Sequence, residues 1–201
     1  MPTQPPARRR RDPQRRIAEI ADATERVIAA RGIEGLTHRA VAEEAGVPLG
    51  ATTYHFATKD DLIQAALQRA YERYAAMLTA WVAQRPDLTL EQYIVLLTDA
   101  MMGCFGPNRD YQVIELELYL AALRRPALRP IVDQYTQATT NALLPYVDPS
   151  TARAAVAAMN GLTLSGLAGS QPPTRADVED TLRRILTPNP TLPAPNSATT
   201  P

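Results

Sequence analysis

The stretch LTHRAVAEEAGVPLGATTYHFATKDDL, Leu36 to Leu62, decides the fold, because helix spacing, turn chemistry and residue type agree there on one device. Thr37 is placed to cap a short helix whose apolar residues Ala40, Val41 and Ala45 recur at helical spacing. Gly46 ends it, since a glycine takes the left-handed conformation that a tight corner between helices needs, and Val47 plugs the corner from inside. Pro48 opens a second helix, its fixed φ and missing N–H suiting a first turn, and that helix is expected to run to about Phe56. Thr58 then caps a further helix, with Asp61 three residues on completing a capping-box-like pair. Two short helices across a capped corner make a helix-turn-helix, which lays its second helix in the major groove of DNA.

Outward from that corner, charge supports the same reading. The formal net charge of the 201 residues is +0, but residues 1–85 hold 13 basic and 10 acidic side chains and residues 86–201 hold 8 and 11. The halves therefore carry +3 and −3, the asymmetry of a nucleic-acid end joined to a separate body. Six arginines and one aspartate fall in the first 16 residues, and residues 1–12 are read as a disordered basic arm able to lie along phosphates. Twenty of the 21 basic residues are arginine, the exception being Lys59. The N-terminal arginines have no apolar run behind them, the least charged run (154–169) is too short and polar for a membrane span, and the single Cys104 gives no internal disulfide framework. A cytoplasmic protein with no membrane partner is expected.

The periodicity predicts an all-α chain of about nine helices with no strand. Helix 1 runs from Pro13 to Arg31, with Ile17, Ile20, Ala21, Thr24, Val27 and Ile28 on one stripe, and Gly32 stops it. Helix 4 spans about Lys59 to Gln84, ended by Pro86; helix 5 about Thr89 to Cys104; helix 6 about Asp110 to Arg124. Helix 7 covers about Ala127 to Leu144, helix 8 about Ser150 to Gly169 and helix 9 about Thr174 to Leu186. Residues 13–58 form a three-helix DNA-binding head, residues 59–187 a helical body and residues 188–201 a disordered tail. An enzyme finds little support: both histidines, His38 and His55, lie in the head, and no GxSxG, CxxC, HExxH or phosphate-cradling glycine loop occurs. No metal site and no cofactor is expected, and a purely structural helical protein would not need the capped corner at Gly46 and Pro48.

This order of helices resembles the TetR family of transcriptional repressors. Members show a run like Ile-Ala-x-x-Ala-Gly-Val-Ser-x-Gly-x-Leu-Tyr-x-x-Phe-x-x-Lys-x-x-Leu, and Val41, Ala42, Ala45, Gly46, Val47, Pro48, Gly50, Phe56, Lys59 and Leu62 stand in those places. The detailed resemblance covers about residues 15–65. Two departures stand out: the family's leucine-tyrosine pair is Thr52-Thr53, with the aromatic one place later at Tyr54, and its often polar reading positions are Leu49, Gly50 and Ala51. Helix 3, from Pro48, is thus expected to read shape and thymine methyls, with Gly50 letting the backbone approach a base edge, and Thr52, Thr53, Tyr54 and His55 supplying polar contacts.

Arg39 matches an arginine that contacts guanine in some relatives, and its place in the first turn of helix 2 suits that; a phosphate contact and a solvated arginine are the alternatives. Lys59, at a helix N-terminus, is expected on phosphate, with Thr37 a further phosphate donor and His38 either another or a surface histidine with no partner. The resemblance implies a homodimer on a palindromic double-stranded operator, with helices 8 and 9 as the candidate contact, and a small-molecule effector held in the body. Candidate effector residues are Trp81, Met101, Met102 and Phe105, together with Tyr111, Leu118, Tyr119 and Tyr135, which suit a mainly apolar molecule; Glu115 or Glu117 either faces a cationic group or is an ordinary exposed helix glutamate. Most of these apolar positions are expected to be ordinary core.

Overall fold

In the computed structural model, residues 13–84 and 87–187 are described. Among them are nine α-helices, one 3-10 turn and no strand. The helices are α1 (Pro13–Arg31), α2 (His38–Ala45), α3 (Leu49–His55), α4 (Lys59–Ala83), α5 (Leu90–Gly103), α6 (Arg109–Ala121), α7 (Arg129–Leu143), α8 (Pro149–Ala168) and α9 (Arg175–Leu186), with the 3-10 turn Pro126–Leu128 before α7. The all-α fold expected from the periodicity is the one observed. The basic arm, Pro86 and the C-terminal tail lie outside the described residues.

The boundaries follow local chemistry. α1 stops at Gly32, whose φ of 65° is left-handed. α5 and α9 open with full capping boxes, Thr89 with Gln92 and Thr174 with Asp177. α8 starts at Pro149 behind Asp148, whose carboxylate takes the hydroxyls of Ser150 and Thr151 as well as their amide N–H groups. These bonds favour the ionised form and hold the Asp148 carboxyl well below the usual aspartate range.

The chain divides into two compact units. The first comprises, of the described residues, 13–74 and Val113–Val132. In it α1 packs on α2 and α2 on α3, and Ile20, Ile28, Leu36, Leu62, Ile63, Leu67, Leu118 and Leu128 are fully buried. The division expected at 58/59 is not where the compact unit ends. α4 sends Leu62, Ile63, Ala66, Leu67 and Ala70 into that unit's buried set, and two ion pairs tie it to α1: Arg69 with Asp22 at 2.7 Å and Arg73 with Glu25 at 2.6 Å. Arg73 is bidentate on Glu25, a residue buried within the stripe of α1.

The second unit comprises, of the described residues, Ala75–Gln112 and those from 133 to 187. α9 packs against both α5 and α8, and its core joins Ile94, Leu97, Met101, Leu143, Val156, Val178, Leu182 and Leu186. Tyr93 and Tyr146 stack at its margin with ring centroids 4.4 Å apart. A Cβ on Gly166 would stand 2.6 Å from the Phe105 ring and 2.5 Å from Pro173, so α8 carries a glycine there to admit both. No described helix is long and apolar enough to cross a membrane.

Candidate nucleic-acid interface

The corner has the predicted construction. Thr37 is extended (φ −140°, ψ 154°) and its hydroxyl accepts the Ala40 N–H at 3.1 Å. Gly46 has φ 64°, and its N–H returns to the carbonyls of Ala42 and Glu43. The Val47 N–H bonds the Ala42 carbonyl at 3.0 Å while its side chain is buried beneath the turn. Pro48 stands one place outside α3 as its cap, and its carbonyl accepts the Ala51 N–H at 2.8 Å. The pair at the start of α4 is also present: the Thr58 N–H donates to Asp61 at 2.8 Å and the Asp61 N–H to the Thr58 hydroxyl at 3.1 Å.

α3 presents Leu49 (43% exposed), Gly50, Thr53 and Tyr54 (84% exposed) to solvent, with Ala51 and His55 half-buried beside them. The Tyr54 ring meets His55 edge-on at 5.0 Å. The Thr53 hydroxyl makes only long contacts, 3.4 Å, to the carbonyls of Leu49 and Gly50, and is therefore readily turned outward. Space around Gly50 is open, with nothing within 4 Å of where a Cβ would stand.

One expected contact is corrected, and a second residue has a partner within the head. Thr52 is 0% exposed, and its hydroxyl donates to the Leu49 carbonyl at 2.7 Å, so it is a core residue of the head and cannot reach DNA. Its face of α3 turns toward α2, which a hydroxyl tolerates because the backbone of its own preceding turn satisfies it. His38 is half-buried and its Nε2 bonds the Phe56 carbonyl at 2.9 Å. It ties α2 to the end of α3 and so belongs to the frame of the corner.

Arg39 is exposed, and among the described residues its side chain has neither an ion pair nor a hydrogen bond. Neighbouring cations differ: Arg26 is bound to Glu44 at 2.6 Å, and Arg69 and Arg73 hold α4 to α1. A guanidinium kept clear of carboxylates beside the reading helix is free to meet a base edge or phosphate. Lys59 is half-buried at the start of α4, its Nζ 3.5 Å from the Glu34 carbonyl. That long contact is easily exchanged for a phosphate.

The candidate effector residues are divided between the units. Glu115, Leu118 and Tyr119 belong to the first, and Trp81, Met101, Met102, Phe105, Tyr111 and Tyr135 to the second. Leu118 is fully buried and Met101 is 4% exposed, both as packed core. Trp81 and Met102 pack against the second core, Phe105 fills the space left by Gly166, and Tyr111 is 62% exposed. Glu115, Tyr119 and Tyr135 are half-buried. A cavity of about 190 Å³ lies elsewhere, at the start of α4, lined by Asp60, Asp61, Gln64, Arg124, Arg125, Pro126, Ala127 and Leu128. Among the described residues no group of three or more His, Cys, Asp or Glu is placed to hold a metal ion.

Residues 20–66 match the family described as bacterial regulatory proteins, tetR family, and residues 88–188 match the tetracyclin repressor-like C-terminal domain. The HTH-type transcriptional regulator PksA of Bacillus subtilis is 33% identical over 110 residues, 55% of this chain; the chain spans 51% of PksA, about half its length. Among solved structures, the multidrug binding protein EbrR complexed with imidazole is 42% identical with a TM-score of 0.76, over 90% of this chain and 99% of that one. EbrR complexed with ethidium gives 41% and 0.75, over 86% and 99%. A TetR-family member of Streptomyces coelicolor A3, SCO1917, gives 41% and 0.73, over 86% and 98%.

Proposed function

The chain belongs to the TetR family of DNA-binding transcriptional regulators, and on that premise we propose that it is a dimeric cytoplasmic repressor, released from a palindromic operator by a mainly apolar molecule carrying a delocalised positive charge. The DNA half of this reading rests on one observation above others: an unpaired Arg39 stands beside an exposed α3 face of Leu49, Gly50, Thr53 and Tyr54. Direct readout then comes from Arg39 on guanine and Tyr54 and Thr53 on base edges or phosphate, while Leu49 and Ala51 meet thymine methyls. Thr37 and Lys59 fix the register on phosphate.

Dimerisation is assigned to α8 and α9. On α8 the residues Ala154, Ala157, Gly161, Leu164, Ser165 and Ala168 are exposed, and a Cβ on Gly161 would meet nothing within 4 Å. Such a face suits the close approach of a second helix, and two copies are needed to offer two α3 helices to half-sites one helical turn apart. The effector class is supported by likeness to EbrR, solved with ethidium, proflavin and malachite green, which are aromatic cations. In this chain the half-buried Glu115 and Tyr119, both on α6 of the first unit, supply a charge and a ring for such a molecule. Release follows when the effector binds the non-DNA state more tightly than the DNA-bound one.

The test begins with selection of bound sequences from random duplex DNA by the purified chain, a near-palindrome being expected. On the selected sequence Arg39→Ala should cost about 1–3 kcal/mol and relax sequence preference, whereas Lys59→Ala should weaken operator and random DNA alike. Equal losses on both DNAs for both variants would remove the distinction. Ethidium is expected to bind the DNA-free chain and to lower operator affinity at concentrations too low to intercalate the operator. Tight ethidium binding that leaves DNA affinity unchanged would favour a regulator that acts without an effector-driven release.

A further inference from the structure

We infer that Glu117, on α6, is a positioning residue for the DNA-reading corner: its carboxylate holds the Ile33 amide and so sets the turn that delivers Thr37 and Arg39. The inference rests on the DNA-binding reading above but concerns a residue far from the corner in sequence.

α1 ends with the Gly32 N–H on the Ile28 carbonyl at 2.8 Å and with Gly32 in the left-handed region. The amide following such a glycine ordinarily turns back to the last helical carbonyls. Here the Ile33 N–H instead donates to Glu117 Oε2 at 3.1 Å, in a part-buried setting. Both carboxylate oxygens lie over the turn, since a Cβ on Gly32 would stand 3.7 and 3.8 Å from them. From Ile33 the chain has only to close one further turn, Leu36 N–H on the Ile33 carbonyl at 3.2 Å, before Thr37 caps α2. The carboxylate therefore fixes the point from which α2, and Arg39 in its first turn, are launched.

A second contact grips the other side of the same corner. Lys59 reaches the Glu34 carbonyl, one residue beyond Ile33, and Asp60 beside it accepts Arg125 Nε at 2.7 Å. Glu117 and Arg125 thus bracket two pairs of adjacent residues, Ile33 with Glu34 and Lys59 with Asp60. One of those four, Lys59, is the proposed phosphate contact. Leu118, next to Glu117, and Leu128, near Arg125, are both fully buried in the same compact unit. α6 accordingly belongs to the DNA-binding machinery, and an acidic side chain there acts on DNA affinity without touching DNA.

The test uses the full chain, with Glu117→Ala, Glu117→Asp and Glu117→Gln, read by hydrogen exchange of the Ile33 amide and by affinity for the operator selected with wild type. Loss of the carboxylate contact in Glu117→Ala should speed exchange at Ile33 and weaken operator binding, each by roughly tenfold, the effect of one ordinary hydrogen bond. Far-UV circular dichroism should stay as in wild type. Glutamine keeps an acceptor at the same reach and should restore most of both, whereas the shorter aspartate should not. Exchange and affinity unchanged in Glu117→Ala, or an aspartate that rescues while glutamine fails, would overturn the assignment. If Glu117→Ala does not fold, the ordering of the other two variants still decides. A wild-type chain that selects no DNA would defeat the DNA-binding reading instead, and the exchange measurement would still test the contact.

Discussion

Replacing Gly50 by alanine separates what the protein needs for itself from what it needs for DNA. Gly50 is the second residue of α3, its φ is not in the left-handed region, and nothing stands within 4 Å of a Cβ built there. Inside the chain, then, alanine fits and glycine is the poorer choice. In a helix the exchange stabilises by about 0.5–1 kcal/mol, the lower end applying to a first-turn position. If DNA approaches this backbone as closely as the reading requires, the added methyl has to displace a base edge or sugar. Overpacking of that kind costs about 1–3 kcal/mol per head, hence about tenfold or more in Kd. Gly50→Ala should therefore melt slightly higher than wild type and bind the operator at least about tenfold more weakly, measured by thermal unfolding and fluorescence anisotropy on one preparation. A variant that melts higher and binds as tightly as wild type would refute the close approach, leaving Gly50 without a role on DNA.

Three further outcomes are expected. Gly161→Arg has room within the protomer and should leave helicity intact while converting a dimer to a monomer in sedimentation equilibrium; a dimer that survives would remove this face of α8 from the interface. Gly166→Ala should lower thermal stability, because its Cβ would meet Phe105 at 2.6 Å and Pro173 at 2.5 Å, an overlap whose cost of about 1–3 kcal/mol exceeds the gain in helix propensity; an unchanged melting temperature would mean that both rings yield freely. The Asp148 cap has a folded pKa below its ordinary 3.8, so its contribution is complete above that value and is lost as pH falls below it toward the folded pKa. Comparing acid unfolding of wild type with Asp148→Asn, which caps without titrating, should give a stability difference that shrinks only below pH 3.8; a difference that moves in the neutral range would point to another group.

How much was legible in the sequence depended on whether the cause was local. The corner could be read because each device in it acts within a few residues: Thr37 on Ala40, Gly46 on Ala42, Thr58 with Asp61. Helix ends agreed to within a few residues for the same reason. Thr52 was misread because alternation of exposed and buried faces cannot be judged finely in a helix of seven residues. A hydroxyl satisfied by its own preceding turn also looks, in sequence, like one available to a phosphate. The division into units was not legible, since it depends on residues 113–132 joining the α1–α3 head across a long gap in the chain. Periodicity records that Leu118 and Leu128 face a core but not which core.

The same distinction governs the charges. Taken as a composition, 20 arginines say little, and the surplus of three positive charges in the first half is modest. The structure divides the head's cations by what they face. Arg26, Arg69 and Arg73 are spent on Glu44, Asp22 and Glu25, and Arg125 on Asp60. Arg39 is left clear, and Lys59 holds only a backbone carbonyl at 3.5 Å. Surface ion pairs of this kind add little stability, but they take cations out of competition for phosphate and leave those nearest α3 available. Sequence-specific binding needs few, well-placed charges rather than many, because an excess raises affinity for every DNA equally. On the proposed reading, Asp22 and Glu25 of α1 serve recognition indirectly: they pair the arginines of α4 and leave discrimination to Arg39 and the exposed face of α3.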